Sequence, residues 1–223
     1  MSTGSSTLPA HRNPLDRKEL AAAVAGDIPA GAVVNMGIGL PTKVADFIPP
    51  DREILLHTEN GMLGMGPRAR GEAADPDLIN AGKIPVSELP GAAYFDHAES
   101  FAMIRGGHID VCVMGAFQVS QRGDLANWST GAADAIPAVG GAMDLATGAK
   151  SVYVMMSLFA KNGSPKLVRH TTFPLTGKAC VSRVYTEWAI FEIDDVDGVT
   201  VLETFGMSFA ELTRRLDVPL HTR

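Results

Sequence analysis

Apolar and polar positions change period repeatedly along the chain, and the changes divide it into elements. Leu20, Val24 and Ile28 recur at helical spacing behind Asp16, a residue type that caps helix starts, so residues 16–25 read as a helix. The run "AVVNM" (32–36) is short and continuously apolar, as a buried strand is. It enters Gly37-Ile38-Gly39-Leu40-Pro41, and a helix follows near 42–47, with proline early in its first turn and Pro49-Pro50 as its stop. "EILLH" (53–57) is a second strand, and residues 60–77, rich in glycine and proline, read as a long loop. Then come a helix in "HAESFAMIRGG" (97–107), a strand in "IDVCVMGAFQVS" (109–120), a helix in "GAMDLATGAK" (141–150) and the strand "SVYVMMSL" (151–158). "LVRHTTF" (167–173), "ACVSRVY" (179–185), "WAIFEI" (188–193) and "GVTVLETF" (198–205) read as further, mostly short strands. "SFAELTRRL" (208–216) closes as a helix, with Ser208 and Glu211 at capping-box spacing.

Strands alternating with helices predict an α/β fold: an open, mainly parallel sheet with helices on both faces and additional short strands in the C-terminal half. No internal repeat or low-complexity linker divides the chain. It reads as one domain, residues 16–223, behind a polar N-terminal tail, residues 1–15, expected to be disordered. In such sheets, sites gather beyond the carboxyl ends of the strands. Asn35, Glu59 and the loop after Val119 all fall at such ends.

Composition narrows the function classes. A length of 223 residues, 46% of them hydrophobic and 20% charged, suits a domain with a sizeable core. The net charge of −6 argues against a nucleic-acid partner, since no basic stripe is present to meet phosphates. No run approaches a membrane span and the N-terminus has no signal-peptide pattern, so a cytoplasmic location is expected. Cys112 and Cys180 lie in apolar runs and read as buried free thiols. No histidine pairs with a cysteine or acid at ligand spacing, so no metal is expected. His57 and His108, single histidines beside apolar runs, read as structural groups.

Glu59, in "HTENGMLGMGP" (57–67), is the residue with chemistry to explain. It stands between a strand and a series of glycines, where a ligand can approach the backbone closely. By its position it could cap a helix or pair with an arginine. It could also serve as a general base, a metal ligand or a nucleophile. The metal reading is the poorest, since no second acid or histidine stands at useful spacing. A carboxylate nucleophile needs a desolvated site and backbone N–H groups for an oxyanion, and Gly140-Gly141 in "VGGAMD" (139–144) suits that reading.

Together "VNMGIGLPTKVADFIP", "LLHTENGMLGMGP", "DLINAGK", "GGAMDLATGAK" and "PLTGKACVSRVYTEWAIFEI", with the long segment from Leu89 to Trp128, resemble the β subunit of the family I 3-oxoacid CoA-transferases. The resemblance spans roughly residues 16–205, and "GDLANWSTGAADAIPAVGGAMDLA" is most similar to the 3-oxoadipate branch. It implies that Glu59 is a covalent nucleophile that passes through an acyl anhydride and a glutamyl-CoA thioester. It implies that Asn35 donates a hydrogen bond to substrate, that Lys83 meets the CoA moiety, and that Gly140, Gly141 and Ala142 pack near the acylated glutamate. It also implies no cofactor, CoA esters being substrates. The partner it implies is an α subunit, in an α2β2 assembly whose site lies at the α–β interface.

The chain departs from that family's pattern in places. Thr58 stands where serine is usual, and Met62 replaces an aliphatic residue. "MMSLFAKNGSPKLV" lacks an acidic residue and a histidine, and Tyr185-Thr186-Glu187-Trp188 replaces a usual Thr-Asp-Leu ending. These changes bear on substrate identity more than on chemistry. Acetoacetate or another short acid is the alternative acceptor. An acyl-CoA hydrolase and a non-catalytic homologue are the alternative functions.

Overall fold

The computed structural model describes residues 10–11, 13–132, 138–194 and 196–223. A two-residue strand, β1 (Ala10–His11), precedes helix α1 (Arg17–Asp27). The Asp16 carboxylate accepts from the Lys18 and Glu19 amides, and the Glu19 side chain returns the bond to the Asp16 amide. Strand β2 (Val33–Met36) follows, then a 3-10 helix at Leu40–Phe47, tighter than the α-helix expected there. Next come β3 (Leu55–Thr58), β4 (Met62–Arg68), β5 (Val86–Tyr94) and α2 (His97–Arg105). Strands β6 (Val111–Gly115), β7 (Gln118–Ser120) and β8 (Leu125–Ala126) lead to α3 (Ala142–Gly148) and β9 (Ser151–Met155). The chain ends with β10 (Leu167–Val168), β11 (Val181–Tyr185), β12 (Ala189–Asp194), β13 (Gly198–Phe205), α4 (Phe209–Arg215) and β14 (Leu220–Thr222).

One sheet has the order β1-β13-β12-β11-β9-β6-β2-β3-β4-β5, with β14 on β13, and a small sheet has the order β10-β7-β8. The centre, β11-β9-β6-β2-β3, is parallel throughout, and the flanks β3-β4-β5 and β11-β12-β13 are antiparallel. Parallel strands of this kind need cover on both faces. Along β6 the residues alternate between two cores: Cys112 and Met114 pack with Ile104 of α2 and Leu145 of α3, while Val111 and Val113 pack with Leu20 and Val24 of α1. The expected α/β class and the additional short strands are present.

Three differences from the sequence reading have physical causes. The expected loop at 60–77 contains β4, which turns back on β3 and pairs with β5. Its glycines hid it, but they mark close backbone approach rather than a loop. A Cβ at Gly64 would lie 3.0 Å from Ala92 Cα, and one at Gly66 would lie 2.5 Å from Ser87 Oγ. The apolar run at 109–120 is two strands, β6 and β7, in different sheets. The expected tail lies mostly outside the described residues, but inside them Ala10 and His11 run parallel to Thr204 and Phe205, and the Leu15 amide donates to the Glu187 carbonyl at 2.8 Å. Among the described residues no helix is long and apolar enough to cross a membrane.

Candidate active site

Four adjacent parallel strands, β9-β6-β2-β3, end on one edge of the sheet, and the loops that leave them line an open cleft of about 570 Å³. Glu59 follows β3, Gly37 and Ile38 follow β2, Ala116 and Phe117 follow β6, and Met155 and Met156 lie at the end of β9. Val139, Gly140, Gly141 and Ala142 close one side. The position is the one the strand-end rule leads to.

The glutamate sits on a turn that requires the glycine two residues after it. The Gly61 amide donates to the Thr58 carbonyl at 3.0 Å, and the Phe95 amide donates to the Gly61 carbonyl at 3.0 Å. Gly61 has φ of 114°, and a Cβ there would meet the Phe95 carbonyl oxygen at 2.1 Å. Glycine is therefore required for both conformation and space. The turn is fixed against the segment that leads into α2, whose cap is Asp96.

Behind the turn, the parallel register pairs Asn35 with His57. Asn35 Nδ2 lies 3.1 Å from His57 Nδ1 and 3.4 Å from the His57 carbonyl oxygen. An amide nitrogen only donates, so Nδ1 accepts and the imidazole proton sits on Nε2. Nε2 is 3.1 Å from Ser100 Oγ, and the Ser100 hydroxyl reaches the Thr58 carbonyl at 3.5 Å. This gives a one-way chain of donors, Asn35 to His57 to Ser100 to the residue that precedes Glu59. Burial pushes the His57 pKa down to about 4, so the ring is neutral at pH 7.

The Glu59 carboxylate is only half-buried, but its Oε2 has no access to solvent and finds no hydrogen-bond donor among the described residues; Thr58 Oγ1 is in the same state. Burial raises the Glu59 pKa, and the nearby His97 works in the other direction. Buried polar atoms without partners are rare in native proteins, and a catalytic role is one of the reasons they persist. Gly141 lies against this oxygen: a Cβ there would be 2.8 Å from Glu59 Oε2 and 2.7 Å from Phe101 Cζ. The Arg105–Asp144 ion pair at 2.7 Å joins α2 to α3 beside it.

The structure brings together Glu59, Gly140, Gly141 and Ala142 of the residues singled out in the sequence. It does not bring Asn35 to the cleft; that side chain is 2% exposed, with its amide nitrogen turned to His57. Lys83 lies outside the cleft lining, exposed, at φ of 59° on a turn closed by its own amide to the Asn80 carbonyl at 2.9 Å. That turn is tied to the glutamate's by Asn60 Nδ2, which donates to the Ile79 carbonyl at 2.8 Å. The sequence reading missed Lys166, which lines the cleft, and Ser100, which completes the donor chain. A lysine behind the "NGSP" turn carries no local signal, and a serine inside an amphipathic helix looks solvated. Cys112 is buried and Cys180 half-buried; both are free, with burial pushing the thiols' pKa values up, Cys180 to about 11. Among the described residues no three His, Cys, Asp or Glu side chains converge as a metal site.

Residues 17–204 match the family described as Coenzyme A transferase. The chain is 56% identical over 207 residues to the B subunit of the 3-oxoadipate CoA-transferase of Pseudomonas putida, covering 92% of this chain and 96% of that protein. It is 53% identical over 201 residues to the protein of the same name from Acinetobacter baylyi, covering 90% and 92%. Among solved structures, the acyl-CoA transferase YdiF of Escherichia coli O157:H7 superposes with a TM-score of 0.72 at 20% identity. It covers 99% of this chain, which spans 44% of that one.

Proposed function

This chain belongs to the coenzyme A transferase family, and from that premise we propose that it carries the nucleophile of an enzyme that moves CoA from succinyl-CoA to a 3-oxo acid, with 3-oxoadipate as the acceptor. The observation that carries this reading is the Glu59 carboxylate: held just past a strand end, one oxygen buried without a partner among the described residues, in the lining of a largely apolar cleft. The acceptor rests on the names of the two relatives and on the segment from Gly123 to Ala146.

The chemistry balances without a cofactor. A Glu59 oxygen attacks the thioester carbonyl, the C–S bond breaks, and CoA leaves as thiolate, giving an acyl-glutamyl anhydride. The thiolate then attacks the glutamyl carbonyl and expels the first acid as a carboxylate, giving a glutamyl-CoA thioester. A second carboxylate attacks that thioester, CoA thiolate leaves again, and it returns to the new acyl carbonyl to free Glu59. A carboxylate suits the task because its anhydride and thioester are close in energy, so CoA moves between acids if water is kept out. Gly141 lets the backbone of the α3 entry approach the developing oxyanion. Lys83, exposed on the turn that Asn60 ties to the glutamate's, is assigned to the CoA moiety.

Both relatives are named for the B subunit of their enzyme, which implies a second kind of chain beside it. We assign this chain to an α2β2 assembly whose partner covers the open cleft. The test uses the co-expressed pair. Succinyl-CoA followed by borohydride should reduce a glutamyl thioester at residue 59 and nowhere else, and Glu59→Ala should lose both label and turnover. Normal turnover by that variant would overturn the nucleophile. A higher kcat/KM for acetoacetate than for 3-oxoadipate would overturn the acceptor, and full activity of the chain alone would overturn the assembly.

A further inference from the structure

Among the described residues that line the cleft, two carry ionisable side chains: Glu59 and Lys166. Everything between them is apolar, glycine or amide, including Met114, Phe117, Met155 and Met156. They are attached beside the two outer strands of the four that end at the cleft. Glu59 leaves β3, while the Lys166 amide donates to the Leu158 carbonyl at 2.9 Å, just past the end of β9. β3 and β9 are three places apart in the sheet. At about 4.8 Å per step, their backbones are separated by roughly 14 Å.

Lys166 is half-buried and makes no ion pair within 4.0 Å among the described residues; Glu187 acts on it from farther away, and the Glu187 Oε2 atom accepts from the Leu158 amide at 3.1 Å. Burial lowers its pKa, as it does for an ammonium short of counter-charge. A partly desolvated cation at the far end of an apolar slot is the arrangement that holds an anion in place. We infer that Lys166 binds the distal carboxylate of a dicarboxylic substrate, so that the acid lies along the cleft with its reacting carboxyl at Glu59. The inference rests on the transferase reading and adds to it a residue that selects dicarboxylates over monocarboxylates.

The test compares Lys166→Met with wild type in the co-expressed pair, using 3-oxoadipate and acetoacetate as acceptors and succinyl-CoA and acetoacetyl-CoA as donors. Loss of one charged hydrogen bond predicts that kcat/KM falls roughly 30-fold more for the dicarboxylic member of each couple than for the monocarboxylic one. The difference should lie mainly in KM, and Lys166→Arg should recover part of it. Equal losses with both acids would overturn the inference, because a role in the fold or in holding CoA does not discriminate between them. Borohydride trapping of wild type and of the variant with acetoacetyl-CoA separates the two readings. A label at Glu59 with equal losses sinks Lys166 alone, and no label at Glu59 in wild type sinks the transferase reading itself.

Discussion

Asn35 Nδ2 stands 3.1 Å from His57 Nδ1, a buried contact between neighbouring strands just behind the glutamate's turn. Both donors of the amide point at His57, one to the ring and one to the carbonyl. The ring in turn positions Ser100, which reaches the carbonyl of Thr58. That chain links Asn35 to the residue that precedes Glu59 without a place for Asn35 in the cleft lining.

Asn35→Ala should therefore lower stability by about 1–3 kcal/mol, since it leaves a buried acceptor unpaired. It should also lower kcat through a displaced Glu59 while the KM for the acid changes little. The double variant with His57→Gln should be less destabilised than the sum of the singles, because the two share one interaction. A raised KM with unchanged stability would return Asn35 to direct substrate contact.

His57 predicts a specific acid sensitivity. Its folded pKa is about 4, below the ordinary 6.5, because burial disfavours the charged ring. Protonation would also place a second N–H against the Asn35 amide. A lowered folded pKa means that the contribution to stability is complete above pH 6.5 and is lost as pH falls from about 6.5 towards 4. Over that window the loss amounts to about 3 kcal/mol. Denaturant midpoints at pH 7, 5.5 and 4.5 should fall more steeply for wild type than for His57→Gln. Parallel slopes would show that the ring is not the titrating group.

Glu59 carries the opposite sign. Burial raises its folded pKa, so its contribution is present at low pH and is lost as pH rises and the carboxylate ionises. Glu59→Gln should abolish transfer yet stabilise the complex by about 1 kcal/mol at pH 7. That corresponds to a melting temperature higher by roughly 2–4 °C. The gain should shrink as pH is lowered, where wild type is protonated too. Activity of wild type should be lost at a higher pH than for an ordinary glutamate. A destabilised Glu59→Gln would mean that the carboxylate has a partner.

Much of the fold was legible because single residues carry its boundaries. Asp16 with Glu19 and Ser208 with Glu211 form the caps that fix α1 and α4. The two-core alternation along β6 is a continuous apolar run in sequence. Strand β4 was not legible, because Gly64 and Gly66 are required by the approach of Ala92 and Ser87 of β5, far along the chain, and that distance is invisible to local pattern. Glu59 and the Gly140-Gly141 step, which the fold brings into one cleft, were legible because an acid among glycines is unusual and paired glycines before a helix leave amides free. Lys166 and Ser100 were not, since each acquires its meaning only when the strand order is known.

Gly141→Ala gives the sharpest test of the site's shape. The backbone there, φ −84° and ψ 5°, is open to alanine, so the substitution brings no conformational strain of its own. Space is the difficulty: the new methyl would stand 2.7 Å from Phe101 Cζ and 2.8 Å from Glu59 Oε2. Phe101 is held by His97 on one side, with ring centroids 4.7 Å apart, and its helix is joined to α3 by Arg105 and Asp144. The carboxylate is the freer of the two and should move. A displacement of about 1 Å at a nucleophile costs on the order of 10²-fold in rate. Gly140→Ala makes the control: nothing lies within 4 Å of its Cβ, but φ is 52°, so it should lose about 1 kcal/mol of stability with a smaller loss of rate. Adding Phe101→Leu to Gly141→Ala should return part of kcat by giving the methyl somewhere to go. Wild-type kcat in Gly141→Ala would show that Glu59 does not use this wall of the cleft.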